Sequence, residues 1–393
     1  MNKENKNIVL LIIRGNTTQF GNIIYDYANK ILIAGLRSKS LFYMMIYQSS
    51  ESIIQMLLNL YTGHFADSNN RKQILIVTDL IAGIVTFVLF LFYNPSNIWG
   101  FIIVNIILAI LFCFNRPTHK AIVRDLLSTD GIYRFNSISK ILSEVISISA
   151  PLFSMIIIKE LGFKYGMLIN SVSFFVSALC EYNFQVINIS KKSNSSFMHG
   201  IFEGIKYVVS NKTLFAILVT SAFLNFLDAI YSFYLPYTSS FSGNENLYGC
   251  ILVSQAIGSM CGALIIGPKI NTLNLSRIFH FLLPGAIVLI LMGIVSDHTL
   301  LVLIFFGVFS ASVTMFNVCL MSHIQTSVDP KYLGRVFSII FTISGVFVPF
   351  GSFVASIIDM KNWLIFQCLG ISQFIIYMFA ISFFSIFIKK NYE

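Results

Sequence analysis

Long apolar runs alternate with short polar islands along the whole chain. The runs lie near 8–34, 40–62, 73–93, 97–115, 135–158, 163–187, 213–237, 247–267, 277–296, 299–322, 335–358 and 362–387. Each is about 20 residues or longer, the length a helix needs to cross a hydrocarbon core of about 30 Å. Lipid offers no partner to an open N–H or C=O, so such runs must close their hydrogen bonds within the segment. The pattern predicts an all-α membrane protein with twelve transmembrane helices. The widest central polar gap, 188–212, divides it into six-helix halves at 1–187 and 213–393. Within that gap, His199 to Lys206 reads as a short surface helix in a cytoplasmic linker.

The halves echo one another, which predicts pseudo-symmetry. Phe114-Asn115 is followed by Arg134-Phe135-Asn136-Ser137-Ile138, and Phe316-Asn317 by Arg335-Val336-Phe337-Ser338-Ile339. A proline follows inside the next run in each half, Pro151 and Pro349. A second echo links the first and seventh runs. Thr18, Asn22, Tyr25 and Asn29 share their spacing with Ser221, Asn225, Asp228 and Ser232, which puts each set on one helical face.

Composition supports the membrane assignment: 56% of residues are hydrophobic and only 11% charged, against about 25% charged in soluble domains. The net charge of +9 is explained by sidedness rather than by nucleic acid. Of the 26 Lys and Arg, five fall on one side (Arg37, Lys39, Lys159, Lys164, Lys361) and two lie within the first run (Arg14, Lys30). The remaining nineteen fall on the other side, which the positive-inside rule makes cytoplasmic, together with both termini. No signal-peptide pattern precedes the first run, so it is expected to stay in the protein. The six cysteines sit in apolar runs without CxxC spacing and predict no zinc site or disulfide framework. No P-loop, H-E-x-x-H or G-x-S-x-G pattern occurs, so neither direct ATP coupling nor an enzyme, a metal or a cofactor is expected.

The first run is unusually polar: Arg14, Asn16, Thr17, Thr18, Gln19, Asn22, Asp26, Asn29 and Lys30. It cannot face lipid all round, so its polar face should line a wet cavity or meet polar neighbours. That makes Thr18, Asn22, Tyr25, Asn29, Ser221, Asn225 and Ser232 candidates for a substrate cavity. Acids inside spans are costly and are functional candidates by default. Asp26, Glu51, Glu144 and Asp228 are the proton-coupling candidates; the alternative is a structural partnership, for instance with Arg14. Asp79 is expected to pair near Arg71 and Lys72, and Glu181 to be solvated at the inner end of its span. Pro151 and Pro349 are candidate helix kinks.

The polar island Gly63-His64-Phe65-Ala66-Asp67-Ser68-Asn69-Asn70-Arg71-Lys72 has the pattern G-x-x-A-D-x-x-x-R-K between two spans. It resembles the signature loop of the major facilitator superfamily. The stretch Ala150-Pro151-Leu152-Phe153-Ser154 is similar to the G-P-x-x-G-G element of drug:proton antiporters, with Ala150, Phe153 and Ser154 departing from it. Arg116-Pro117, Asp125 and Asn136 resemble positions in macrolide-efflux-like members. The resemblance implies a proton-coupled exporter of an amphipathic or hydrophobic compound, working by alternating access as a monomer in the cell membrane. It implies that Gly63, Asp67, Arg71 and Lys72 latch the cytoplasmic side. Its implied partners are a small molecule, protons and the lipid bilayer. Rival readings are a lipid, siderophore or peptide exporter of the same fold, an integral-membrane enzyme, or a sensor or scaffold.

Overall fold

The computed structural model describes residues 3–66, 70–187, 206–266, 275–328, 333–360 and 362–389, and every regular element among them is helical. The first six helices are α1 (Lys3–Ala34), α2 (Ser40–Ala66), α3 (Arg71–Leu91), α4 (Ile98–Leu126), α5 (Thr129–Glu160) and α6 (Lys164–Tyr182). After 187 come α7 (Lys212–Tyr234), a 3-10 turn (Leu235–Tyr237) and the short α8 (Thr238–Ser242). They are followed by α9 (Leu247–Ile266), α10 (Leu275–His280), α11 (Leu282–Ile290) and α12 (Met292–Val295). The last three are α13 (Thr299–Ser327), α14 (Leu333–Ile358) and α15 (Leu364–Lys389).

Most apolar runs coincide with one helix; 213–237 takes in α7 and the 3-10 turn, and 277–296 takes in three short helices. Seven of the helices, among the described residues, are long and apolar enough to cross a membrane. The polar α1 is not one of the seven. Helix ends run past the apolar limits. α4 continues through Pro117 to Leu126, and α5 begins at Thr129, where the Ser128 hydroxyl accepts a hydrogen bond from Gly131 N–H. That is the usual way to satisfy an open donor at a helix start.

The chain divides into two compact units, Met1–Asn194 and Ser195–Glu393. In the first, α1 packs on α5 and α6, α3 on α4 and α6, and α2 on α4. Small residues set these contacts: a Cβ on Gly166 would stand 3.0 Å from the Ala28 methyl, and the Ser171 hydroxyl donates to Gly83 O at 2.8 Å. In the second unit, α9 lies against α13, α7 against α14 and α11 against α13 and α15. A Cβ on Gly258 would collide with the Gly307 backbone, and one on Gly262 with the Ala311 backbone. This is the close-approach pattern of small residues that membrane helices use where dispersion contact must replace hydrophobic drive. Ser254 Oγ adds a 2.6 Å bond to Leu303 O. The Tyr234 hydroxyl, at the end of α7, donates to Ala355 O on α14 at 2.7 Å. Large apolar side chains such as Leu57, Ile141, Leu264, Leu300 and Ile375 are exposed.

Candidate functional site

A polar collar closes one end of the first unit. Arg71, in the first turn of α3, grips both oxygens of Asp125 on α4, at 3.0 and 2.8 Å. The Asp125 carbonyl accepts from Ile187 N–H. Lys72 donates to Phe184 O at 3.0 Å and its ammonium stands over the Tyr182 ring. From α1, the fully buried Asn7 donates to Leu126 O and Gln185 O and accepts from Gln185 N–H. Glu4 accepts from both the amide and the hydroxyl of Ser128, and these bonds hold its carboxyl below the usual range. Segment 183–187 is thereby stitched to α1, α3 and α4.

Of the signature-loop residues, Arg71 and Lys72 belong to this collar. Gly63 lies in α2 with its surroundings outside the described side chains, and Asp67 lies outside the described residues. The acid that meets Arg71 here is Asp125, 54 positions along the chain. Spacing gives no hint of that pairing; the resemblance pointed at Asp125 without giving it a partner.

Two acids lie elsewhere than the sequence reading put them. Asp79 does not pair with Arg71 or Lys72, and Glu181 is not solvated. Both are buried around Arg14. Arg14 Nε donates to Glu181 Oε1 at 2.9 Å, and its Nη2 stands 3.5 Å from Asp79 Oδ2. Asn115 bridges the cluster: its oxygen accepts from Arg14 at 2.5 Å, and its amide donates to Asp79 and Thr78, both at 2.8 Å. The Ser177 hydroxyl donates to Asp79. The cause is packing, since α1 crosses α6 where Glu181 points inward. An unpaired guanidinium in that interior would be strongly unfavourable.

The four coupling candidates sit in different settings. Asp26 pairs with Lys30 one turn on at 2.8 Å and accepts from the Tyr47 hydroxyl of α2 at 3.2 Å. Tyr47 also accepts from the buried Asn29. Part of the polar face of α1 is thus closed by α2. Glu51 pairs with Arg116 at 3.1 Å and accepts from Gln55. Glu144 pairs with Lys140 at 2.5 Å. Asp228 is exposed and lines a cavity of about 150 Å³ inside the second unit. Thr18 bonds back to Arg14 O, Asn22 is half-buried and Tyr25 is buried.

The cavity is lined by α7, α11, α13 and α15 and is open on one side. Asn225, Asp228, Tyr231, Asn317 and Gln373 give it polar points, while Phe309, Phe316 and several leucines make its walls apolar. Ser221 and Ser232, from the same predicted face, are not among its walls; Ser221 O accepts from Asn225 at 2.8 Å. Tyr231 is fixed by Phe306, Phe309 and Phe366 and by a hydrogen bond from Gln255. Apolar walls with a few convergent polar groups suit an amphipathic ligand. In the sequence Asn317 stands out only through the repeat, and Gln373 only as an amide in an apolar run. Pro151 is buried within α5 and Pro349 lies within α14.

Comparison with known proteins bears on what these features belong to. A sequence profile of the Major Facilitator Superfamily matches residues 19–352. Macrolide efflux protein A of Streptococcus pyogenes is 22% identical over 320 residues, covering 77% of this chain and 78% of that protein. Macrolide efflux protein A of Enterococcus faecalis is 23% identical over 302 residues, covering 74% and 92%. The crystal structure of nucleoside transporter NupG superposes with a TM-score of 0.75 at 12% identity, covering 98% of this chain and 99% of that one.

Proposed function

The chain belongs to the Major Facilitator Superfamily, and from that premise we propose that it is a proton-driven exporter of an amphipathic or hydrophobic small molecule. It is a multi-pass membrane transporter of the superfamily's helical fold. The finer reading is that of a twelve-span secondary transporter with halves 1–187 and 213–393 joined by a cytoplasmic linker at 188–212. It would work as a monomer in the cell membrane, with both termini in the cytoplasm, by alternating access. The membrane potential contributes about 2.3 kcal/mol per charge per 100 mV, enough to energise an export step without ATP.

The observation that carries the reading is the cavity of the second unit, which Asp228 lines together with Asn225, Asn317 and a wall of aromatic and leucine side chains. The relatives named for macrolide efflux support an export reading. Asp228 is the principal coupling candidate because it faces that cavity. Asp26, Glu51 and Glu144 each have a basic residue within salt-bridge distance and are secondary. Arg71, Lys72 and Asp125 form the latch at the cytoplasmic end, with Gly63 and Asp67 completing it by resemblance. The test is uphill uptake of a radiolabelled macrolide, and of a fluorescent amphipathic dye, into inverted proteoliposomes bearing an imposed pH gradient. Asp228→Asn should abolish gradient-driven accumulation while retaining ligand binding. Accumulation by wild-type protein that ignores the pH gradient would sink the proton-driven reading.

A further inference from the structure

The buried cluster of the first unit has an unbalanced charge. One guanidinium, Arg14, faces two carboxyls, Asp79 and Glu181. Their side chains are 8%, 3% and 0% exposed, so water cannot supply the missing positive charge. Glu181 Oε2 is buried with no donor facing it, whereas its Oε1 takes the Arg14 bond. Both carboxyls converge on the same guanidinium, and two carboxylates can share a hydrogen bond only when one of them carries a proton.

Among the described residues, no hydrogen-bond or ion-pair partner of the cluster restores the balance. On α3, Thr78 is neutral. On α4, Asn115 is neutral, and His119 faces Arg14 with its Nδ1 lacking any partner. An imidazolium needs acceptors for both N–H groups, so that setting is not one for a second cation. Lys120, beyond His119, is exposed. On α6, Ser177 donates to Asp79, and Cys180 adds no positive charge. Arg116 of α4 and Lys140 of α5 are each engaged with another acid, Glu51 and Glu144.

We propose that Asp79 and Glu181, held by Arg14, form a buried proton-binding pair in which one proton lies between the two carboxyls. With the proton the cluster is neutral; when it leaves to water, the cluster carries a net charge of minus one. The proton fills the orphaned Glu181 Oε2, and its acceptor is Asp79. Such a site joins α1, α3, α4 and α6, so its protonation state changes the contacts among four helices together. The role in coupling rests on the proton-driven reading above; the existence of the bound proton does not.

Infrared spectroscopy of the purified protein in liposomes at neutral pH tests the site without transport. Wild-type protein should show a carboxylic-acid C=O band, and carbon-13 labelling of glutamate or aspartate should shift it. Glu181→Gln and Asp79→Asn should each lose the band, because the remaining carboxyl then balances Arg14 one to one. Asp228→Asn and His119→Gln should keep it. In proteoliposomes, Glu181→Gln should bind the dye as wild type does but lose the pH dependence of its transport. A wild-type spectrum without the labelled band, or a band that survives in both Glu181→Gln and Asp79→Asn, overturns the site. Should transport fail for every probe while the band behaves as described, the export reading falls and the proton pair stands. Proton-driven export with an unchanged pH profile in Glu181→Gln leaves export standing and removes the pair from coupling.

Discussion

Replacing Arg71 by Ala removes the cation from a two-point grip on Asp125, whose side chains are 15% and 11% exposed. Hydrogen bonds to charged groups contribute roughly 1.5–3 kcal/mol, and breaking a fully buried pair costs about 3–5 kcal/mol. The slight exposure lowers this, so we take about 2–3 kcal/mol for opening the collar. That is a change of roughly 30- to 140-fold in the local opening equilibrium. The reporter is built in, because Ile187 N–H bonds to the Asp125 carbonyl at 2.9 Å. Hydrogen–deuterium exchange of a peptide covering 184–187 should accelerate by that factor in Arg71→Ala, while peptides from the middle of α9 do not change. Asp125→Ala should do the same, and the double variant should be little worse than either, since the pair then has no interaction left to lose. Unchanged exchange at 184–187, or fully additive single effects, would refute the reasoning.

Three further outcomes follow from particular contacts. Gly258→Val should prevent the α9–α13 contact, because the new side chain meets the Gly307 backbone rather than a movable side chain; folded yield by size exclusion reads this, with Gly15→Ala as an unobstructed control. Asn7→Ala deletes three hydrogen bonds at a fully buried site and should lower stability by about 2–4 kcal/mol, read as a fall in unfolding temperature and faster exchange at Gln185. Glu4 precedes the apolar part of α1, and its folded-state carboxyl value lies below the ordinary 4.5. Its contribution is therefore present above pH 4.5 and lost as pH falls through the lowered value, so Glu4→Gln should flatten the acid limb of the stability curve; an identical limb in the variant would be the contrary result.

Hydropathy made the helices legible but not their ends. It reads where the chain meets lipid, so it stopped at Asn115, where Arg116, Lys120 and Arg124 begin, although α4 runs on to Leu126. It also read 277–296 as one span. The chain there changes helix at Phe281 and Leu291, both apolar residues inside a run whose average hydropathy hides the breaks. Two pairings were open to a reader of local spacing: Asp26 with Lys30 and Lys140 with Glu144 stand four apart, one turn of helix. Arg14 with Glu181 was not, because 167 positions separate them and only the crossing of α1 and α6 brings them together. Glu181 looked solvated because it lies at the end of its run; which face a helix end turns inward is decided by its neighbours. The cavity was half visible, through Asn225 and Asp228 on one face, while its far walls come from helices with no polar period.

The backbone contact of α9 with α13 has a mechanical consequence. Side chains between helices can change rotamer and let one element slide, but Gly258 against Gly307 and Gly262 against Ala311 leave no such layer to shear. These two helices move as a single stiff bar. Beside this contact the chain changes helix at Phe281 and at Leu291. Ser312 on the bar acts as the strut at the first of these joints, donating to Phe281 O and accepting from Gly285 N–H. Leu282 and Leu289, just past the one joint and just before the other, are cavity walls, so bending at either joint reshapes the space beside Asp228.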